Sequence, residues 1–174
     1  MHPKEGEGLR TTSVPISTKL TTMSLGNKKL AQVAIVVKDM ELAVQRWAAV
    51  LGVDPPNIIV TDPGSEVNGT YRGKPTNDRA KLAFFDIGCV QLELIEPIGK
   101  DSAWYEGYDK RGESLHHIAF WTDDMRQSKT FLDEHGVTMI QRGDMGDGQY
   151  AYFDGQEQIG TMIELLEQKR TPLA

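Results

Sequence analysis

The stretch Leu115–Gly136, "LHHIAFWTDDMRQSKTFLDEHG", decides the fold. Its opening is an apolar run of strand length. After Thr122 the spacing becomes helical until Gly136 ends it, so the segment reads as a strand followed by a capped helix. Two adjacent histidines open the strand. Side chains on a regular strand alternate between its two faces, so His116 and His117 are not expected to line one site.

Upstream, the same order occurs once before. "LAQVAIVV" (30–37) is strand-like, and "DMELAVQRWAAVLG" (39–52) is a helix with Asp39 as its N-cap, one face of Met40, Ala43, Val44, Trp47 and Leu51, and Gly52 at its end. Two more strand-like runs, "AKLAFFDI" (80–87) and "VQLELIEP" (90–97), follow a Pro/Gly-rich stretch. Downstream of Gly136 come "VTMIQRG" (137–143), "GQYAYFDG" (148–155) and "TMIELLEQ" (161–168). Glu93 and Glu164 occupy equivalent last strands of the two halves. Neither half has enough layers to enclose a core alone, so the expectation is one α+β domain over residues 29–168. It would be built from pseudo-symmetric modules at about 29–98 and 114–168, joined by a helical connection at 101–112. Residues 1–28, rich in Ser, Thr, Gly and Lys, are read as a flexible tail.

Composition narrows the function classes. A net charge of −6 over 174 residues offers no overall basic field for nucleic acid or an anionic membrane. The single cysteine, Cys89, excludes an intrachain disulfide, and no apolar run approaches the roughly 18 residues of a membrane span. The expectation is a cytoplasmic protein acting on a small molecule, without nucleic-acid or membrane partners.

Strand parity then points to a site. In each end strand one parity is apolar, suited to packing against helices, and the other carries a polar residue: Gln32, Glu93, His117 and Glu164. Taken singly, each reads as a hydrogen-bonded or solvated strand residue. Together, two carboxylates, an amide oxygen and an imidazole at matched places in two repeats form a ligand set for one divalent cation, which would offset the cost of ionised groups on an apolar face. Parity assigns His116 to the helix side or strand entrance, as a supporting residue. Gln91 and Trp121 share the ligand face and are candidate substrate contacts.

The segments "QVAIVVKDME", "LELIEPIG", "KRGESLHHIAFWTDD" and "GTMIELLE" resemble, in order, the vicinal oxygen chelate superfamily of glyoxalase I, methylmalonyl-CoA epimerase, bleomycin-resistance proteins and extradiol dioxygenases. The resemblance covers about Leu30 to Gln168. It implies paired βαβββ modules forming an eight-stranded, cup-shaped mixed sheet with helices on its outer face. It also implies a metal held by Gln32, Glu93, His117 and Glu164, with Zn, Ni, Co or Mn as candidate ions, and a homodimer. The chemistry implied is a metal-stabilised enolate or enediolate, with Glu164 as the base and Glu93 as its partner in catalysis. Two alternatives accompany this lyase or isomerase reading: a 2-acyl-CoA epimerase, and a non-catalytic binding protein of the resistance type. The epimerase pattern has His where this chain has Gln32. The positions at which glyoxalase I holds glutathione through Arg and Asn are Val36 and Pro97, so a substrate other than a glutathione adduct is expected. The loop Thr61–Arg79 is long enough to be functional and offers Tyr71, Arg72 and Lys74 as anion contacts.

Overall fold

The computed structural model describes Leu25 and residues 28–169, so the expected tail falls almost wholly outside the described residues. The first module contains β1 (Leu30–Val36), α1 (Met40–Leu51), β2 (Ile59–Val60), the short strands β3 (Thr70–Tyr71) and β4 (Lys74–Pro75), β5 (Arg79–Asp86) and β6 (Gln91–Ile98). After α2 (Ala103–Arg111), the second contains β7 (Ser114–Trp121), α3 (Met125–Glu134), β8 (Thr138–Met145), β9 (Gly148–Asp154), α4 (Gln156–Ile159) and β10 (Met162–Glu167).

All ten strands form one curled sheet in the order β2-β5-β6-β1-β7-β10-β9-β8-β3-β4. The eight expected strands are the first eight in that order, and the β3–β4 hairpin is an addition. β1 runs parallel to β6, β7 runs parallel to β10, and the modules meet through the antiparallel pair β1–β7. Parallel strands need a crossover, and α1 and α3 supply one in each module.

The two crossover helices start alike. Asp39 caps α1 by accepting from Leu42 N at 2.9 Å, and Asp124 caps α3 by accepting from Gln127 N at 3.0 Å. A carboxylate from the last strand joins each cap: Glu96 accepts from Met40 N at 2.6 Å and Glu167 from Met125 N at 2.9 Å. Free N–H groups and the positive end of the helix dipole favour such anions. On the sheet's outer face, α1 packs on Ala83, Phe85, Leu92 and Leu94, while α3 packs on Ala151, Phe153, Ile163 and Leu165.

A third core lies on the inner face, where Ala103 and Trp104 of α2 pack with Ala34, Ile95, Tyr152 and Met162. The helices are therefore not all outside, because α2 floors the cup. The loop from Thr61 to Asp78 spans its mouth. Thr61 N donates to Ala80 O beside one sheet edge, while β3 pairs with β8 at the other and Arg72 N donates to Ile140 O at 2.6 Å. The strap turns tightly at Gly64, where an added Cβ would stand 2.3 Å from Thr76 O.

Candidate metal centre

Register determines which side chains meet. Across the inner face one row runs Gln91, Gln32, Ala119, Glu164, Tyr152, and the next runs Glu93, Ala34, His117, Met162. The small Ala34 and Ala119, both fully buried, leave room between the polar residues that flank them.

Three of the four expected ligands converge. His117 Nε2 stands 3.0 Å from Glu164 Oε2 and 3.3 Å from Glu93 Oε2, and a ligand atom from each residue lies within 4.8 Å of the others. All three side chains are buried, yet these same three atoms make no hydrogen bond of acceptable geometry. Buried polar atoms are almost always partnered. Two oxygen donors and one nitrogen donor aimed at one point, with no partner but one another, fit a divalent cation. Gln32 lies on the same face and lines the same cavity as Glu93 and Glu164, with its Nε2 donating to Gln91 Oε1 at 3.4 Å.

Charge agrees with that geometry. Burial lifts the Glu93 carboxyl above its usual range, and Glu164 adds to the lift while His117 opposes it. For His117, burial favours the neutral ring, but Glu164 and Glu93 together outweigh it and raise the group to about 9. Without a metal, then, a proton holds the position a cation would take.

His116 corrects the parity argument. In the β1–β7 ladder Ala34 pairs with His117 and Ile35 with Leu115, leaving His116 as an extra residue. A bulge of this kind breaks the alternation of faces. His116 is fully buried on the inner side, with its ring 5.6 Å from that of Tyr152 and its Nε2 3.0 Å from Ala103 O on α2. Gly107 permits this contact, since a Cβ there would stand 2.7 Å from His116 Cδ2. A carbonyl only accepts, so His116 Nε2 carries hydrogen. Burial, with the neighbouring His117, lowers the His116 ring to about 3 and keeps it neutral. Its Nδ1 therefore accepts from His117 Nδ1 at 2.9 Å. That bond assigns hydrogen to His117 Nδ1 and turns Nε2 toward the carboxylates as the ligand atom, the arrangement expected behind a metal-bound histidine.

The other expected contacts lie elsewhere. Arg72 forms an ion pair with Glu106 at 2.8 Å, Tyr71 donates to the same carboxylate, and Lys74 is exposed. None of these three lines the main cavity. Gln91 and Trp121 border a neighbouring groove that shares Gln32 and Leu166 with it. The main cavity, about 410 Å3, opens onto Glu93 and Glu164 and is walled by Phe84, Trp104, Tyr150 and Tyr152. These aromatic residues escape a search for ligand types. The signal for Tyr152 is its register with Glu164, which requires the β9–β10 pairing to be known.

Comparison with known proteins agrees with this architecture. Residues 31–153 match the glyoxalase/bleomycin resistance protein/dioxygenase superfamily, and the chain belongs to that family. An uncharacterized protein of Bacillus subtilis (strain 168), YqjC, is 36% identical over 95 residues, covering 52% of this chain and 67% of that protein. Among solved structures, the hypothetical protein BH1468 of Bacillus halodurans C-125 is similar with a TM-score of 0.59 at 24% identity, covering 84% of this chain and 98% of that one. A methylmalonyl-CoA epimerase in complex with methylmalonyl-CoA and NH4+ is similar with a TM-score of 0.56 at 25% identity, covering 83% and 98% of the two chains.

Proposed function

We propose that this protein is a metal-dependent lyase or isomerase of glyoxalase type that moves a proton at the carbon next to a carbonyl of a small ketone or thioester. The carrying observation is the buried cluster of Glu93 Oε2, His117 Nε2 and Glu164 Oε2, which face one another and make no hydrogen bond of acceptable geometry. Glu93, His117 and Glu164 would hold the ion, with Gln32 completing the set. A bound divalent cation supplies Lewis-acid polarisation of a carbonyl oxygen, which acidifies the adjacent C–H.

The residues divide the remaining work. Glu164 lines the cavity while its Oε2 faces His117, so Glu164 takes the proton, and Glu93, across the cluster, is its partner in returning it. The Ala103–His116–His117 chain holds the imidazole in the tautomer that leaves Nε2 open. Phe84, Trp104 and Tyr152 exclude water, which strengthens electrostatic interactions inside.

A 2-acyl-CoA epimerase is the second reading, supported by the fold's likeness to methylmalonyl-CoA epimerase. A cytoplasmic homodimer accompanies the first reading. It is supported by the family resemblance and by the exposed, unpaired thiol of Cys89, which suits a reducing compartment. The test is α-proton exchange with deuterated water catalysed by the metal-loaded protein. Glu164→Gln is expected to slow exchange by about 100-fold or more, the usual scale of acid–base catalysis, while metal stays bound. Unchanged exchange with metal retained would remove Glu164 as the base.

A further inference from the structure

The cavity over the metal cluster carries formal charge of one sign. Asp62, which is exposed, and the half-buried Asp78 and Asp144 line it together with Glu93 and Glu164, and no lysine or arginine does so among the described residues. Cations on flanking elements are already partnered. Arg142, outside the lining, pairs with Asp144 at 3.5 Å, Arg79 donates from Nε to Thr61 O at 2.8 Å, Lys81 is held by Glu41 and Glu96, and Arg72 is held by Glu106. Hydrogen bonds from Asn68 to Asp144 and from Asp101 N to Asp78 fix two of the three aspartates in place.

Between these acids and the cluster the wall is apolar and stiff. The Trp104 ring stacks on Tyr150 at 6.3 Å and donates from Nε1 to Tyr152 OH at 3.0 Å, with Leu82 and Phe84 also lining the cavity. One divalent cation offsets the charges of Glu93 and Glu164 and Arg142 pairs with Asp144, which leaves the charges of Asp62 and Asp78. A carboxylate or phosphate held against this wall, away from the metal, would lose hydration without gaining a cationic side chain, whereas an aryl or branched alkyl group would bury apolar area. We propose that the substrate is an uncharged, largely apolar ketone or hydroxyketone of about aryl size, and that acids and phosphate-bearing acyl carriers are turned away by the aspartates. This rests on the proposed function and narrows it.

The probes are 2-hydroxyacetophenones carrying a para methyl, aminomethyl or carboxylate group, so that the charge sits far from the reacting carbon, with propionyl-CoA as the thioester. Exchange of the α-proton is followed by NMR with the cobalt-loaded full chain. The methyl and aminomethyl compounds are expected to exceed the carboxylate by about tenfold or more in kcat/KM at low salt, and propionyl-CoA is expected not to exchange. Asp62→Lys with Asp144→Lys is expected to narrow the gap. Equal or faster exchange of the carboxylate, or efficient exchange of the thioester, would overturn the substrate class and leave the proton-transfer reading intact. No exchange of any probe with cobalt bound would overturn that reading, and this inference with it.

Discussion

The two modules share a backbone and differ in chemistry. Each first strand carries one unpaired extra residue just before its inward polar group: Ala31 before Gln32 in β1, and His116 before His117 in β7. In the first module the extra residue is a methyl group, and the glutamine after it turns its amide to Gln91. In the second it is an imidazole that reaches α2 with one nitrogen and His117 with the other. A doubled backbone thus supplies four inward positions, and side-chain divergence gives only one of the halves an inward imidazole held from behind by a second ring. The helix caps show the opposite, since Asp39 with Glu96 and Asp124 with Glu167 repeat the same solution.

Making the second module resemble the first tests this asymmetry most severely. His117→Gln is expected to weaken metal binding by more than about 100-fold, beyond the 10–100-fold that outer partners of a metal ligand are worth. Calorimetric titration of metal into the variant checks it. An affinity near that of the wild type would show that Gln32 and the two glutamates suffice.

Replacing the support alone should have a smaller effect. His116→Asn is expected to lower metal affinity by about 10–100-fold. Nitrogen-15 NMR of the His117 ring separates positioning from damage to the fold. In the metal-loaded wild type the signals should show hydrogen on Nδ1, and in the variant a mixture of tautomers. Weaker binding with an unchanged His117 tautomer would reduce His116 to a packing residue.

Much of this was legible in the sequence, for identifiable reasons. The repeated order, the caps and the inward parity of Glu93, His117 and Glu164 follow from local periodicity and from apolar residues facing helices, both of which a chain displays residue by residue. The position of His116 was not legible, because a bulge depends on the pairing of β7 with β1 and leaves no mark on the apolar pattern. Nor was the role of the 61–79 loop, whose Arg72 and Tyr71 look free until α2 brings Glu106 to them. Nor was Trp104 legible as a cavity wall, because that depends on the placement of α2 inside the cup.

The most direct test of the centre is metal titration of the wild-type chain across pH, with proton release measured in buffers of different ionisation heat. His117 is raised to about 9 by the two glutamates when no metal is present, so its proton must leave for a cation to enter. Its stabilisation of the metal-free fold is present below the unfolded value near 6.5 and fades as pH rises through about 9. The account predicts one divalent ion per chain, about one proton released, and affinity rising roughly tenfold per pH unit between about 6 and 8. Absence of stoichiometric binding, or binding that neither releases a proton nor responds to pH, would contradict it.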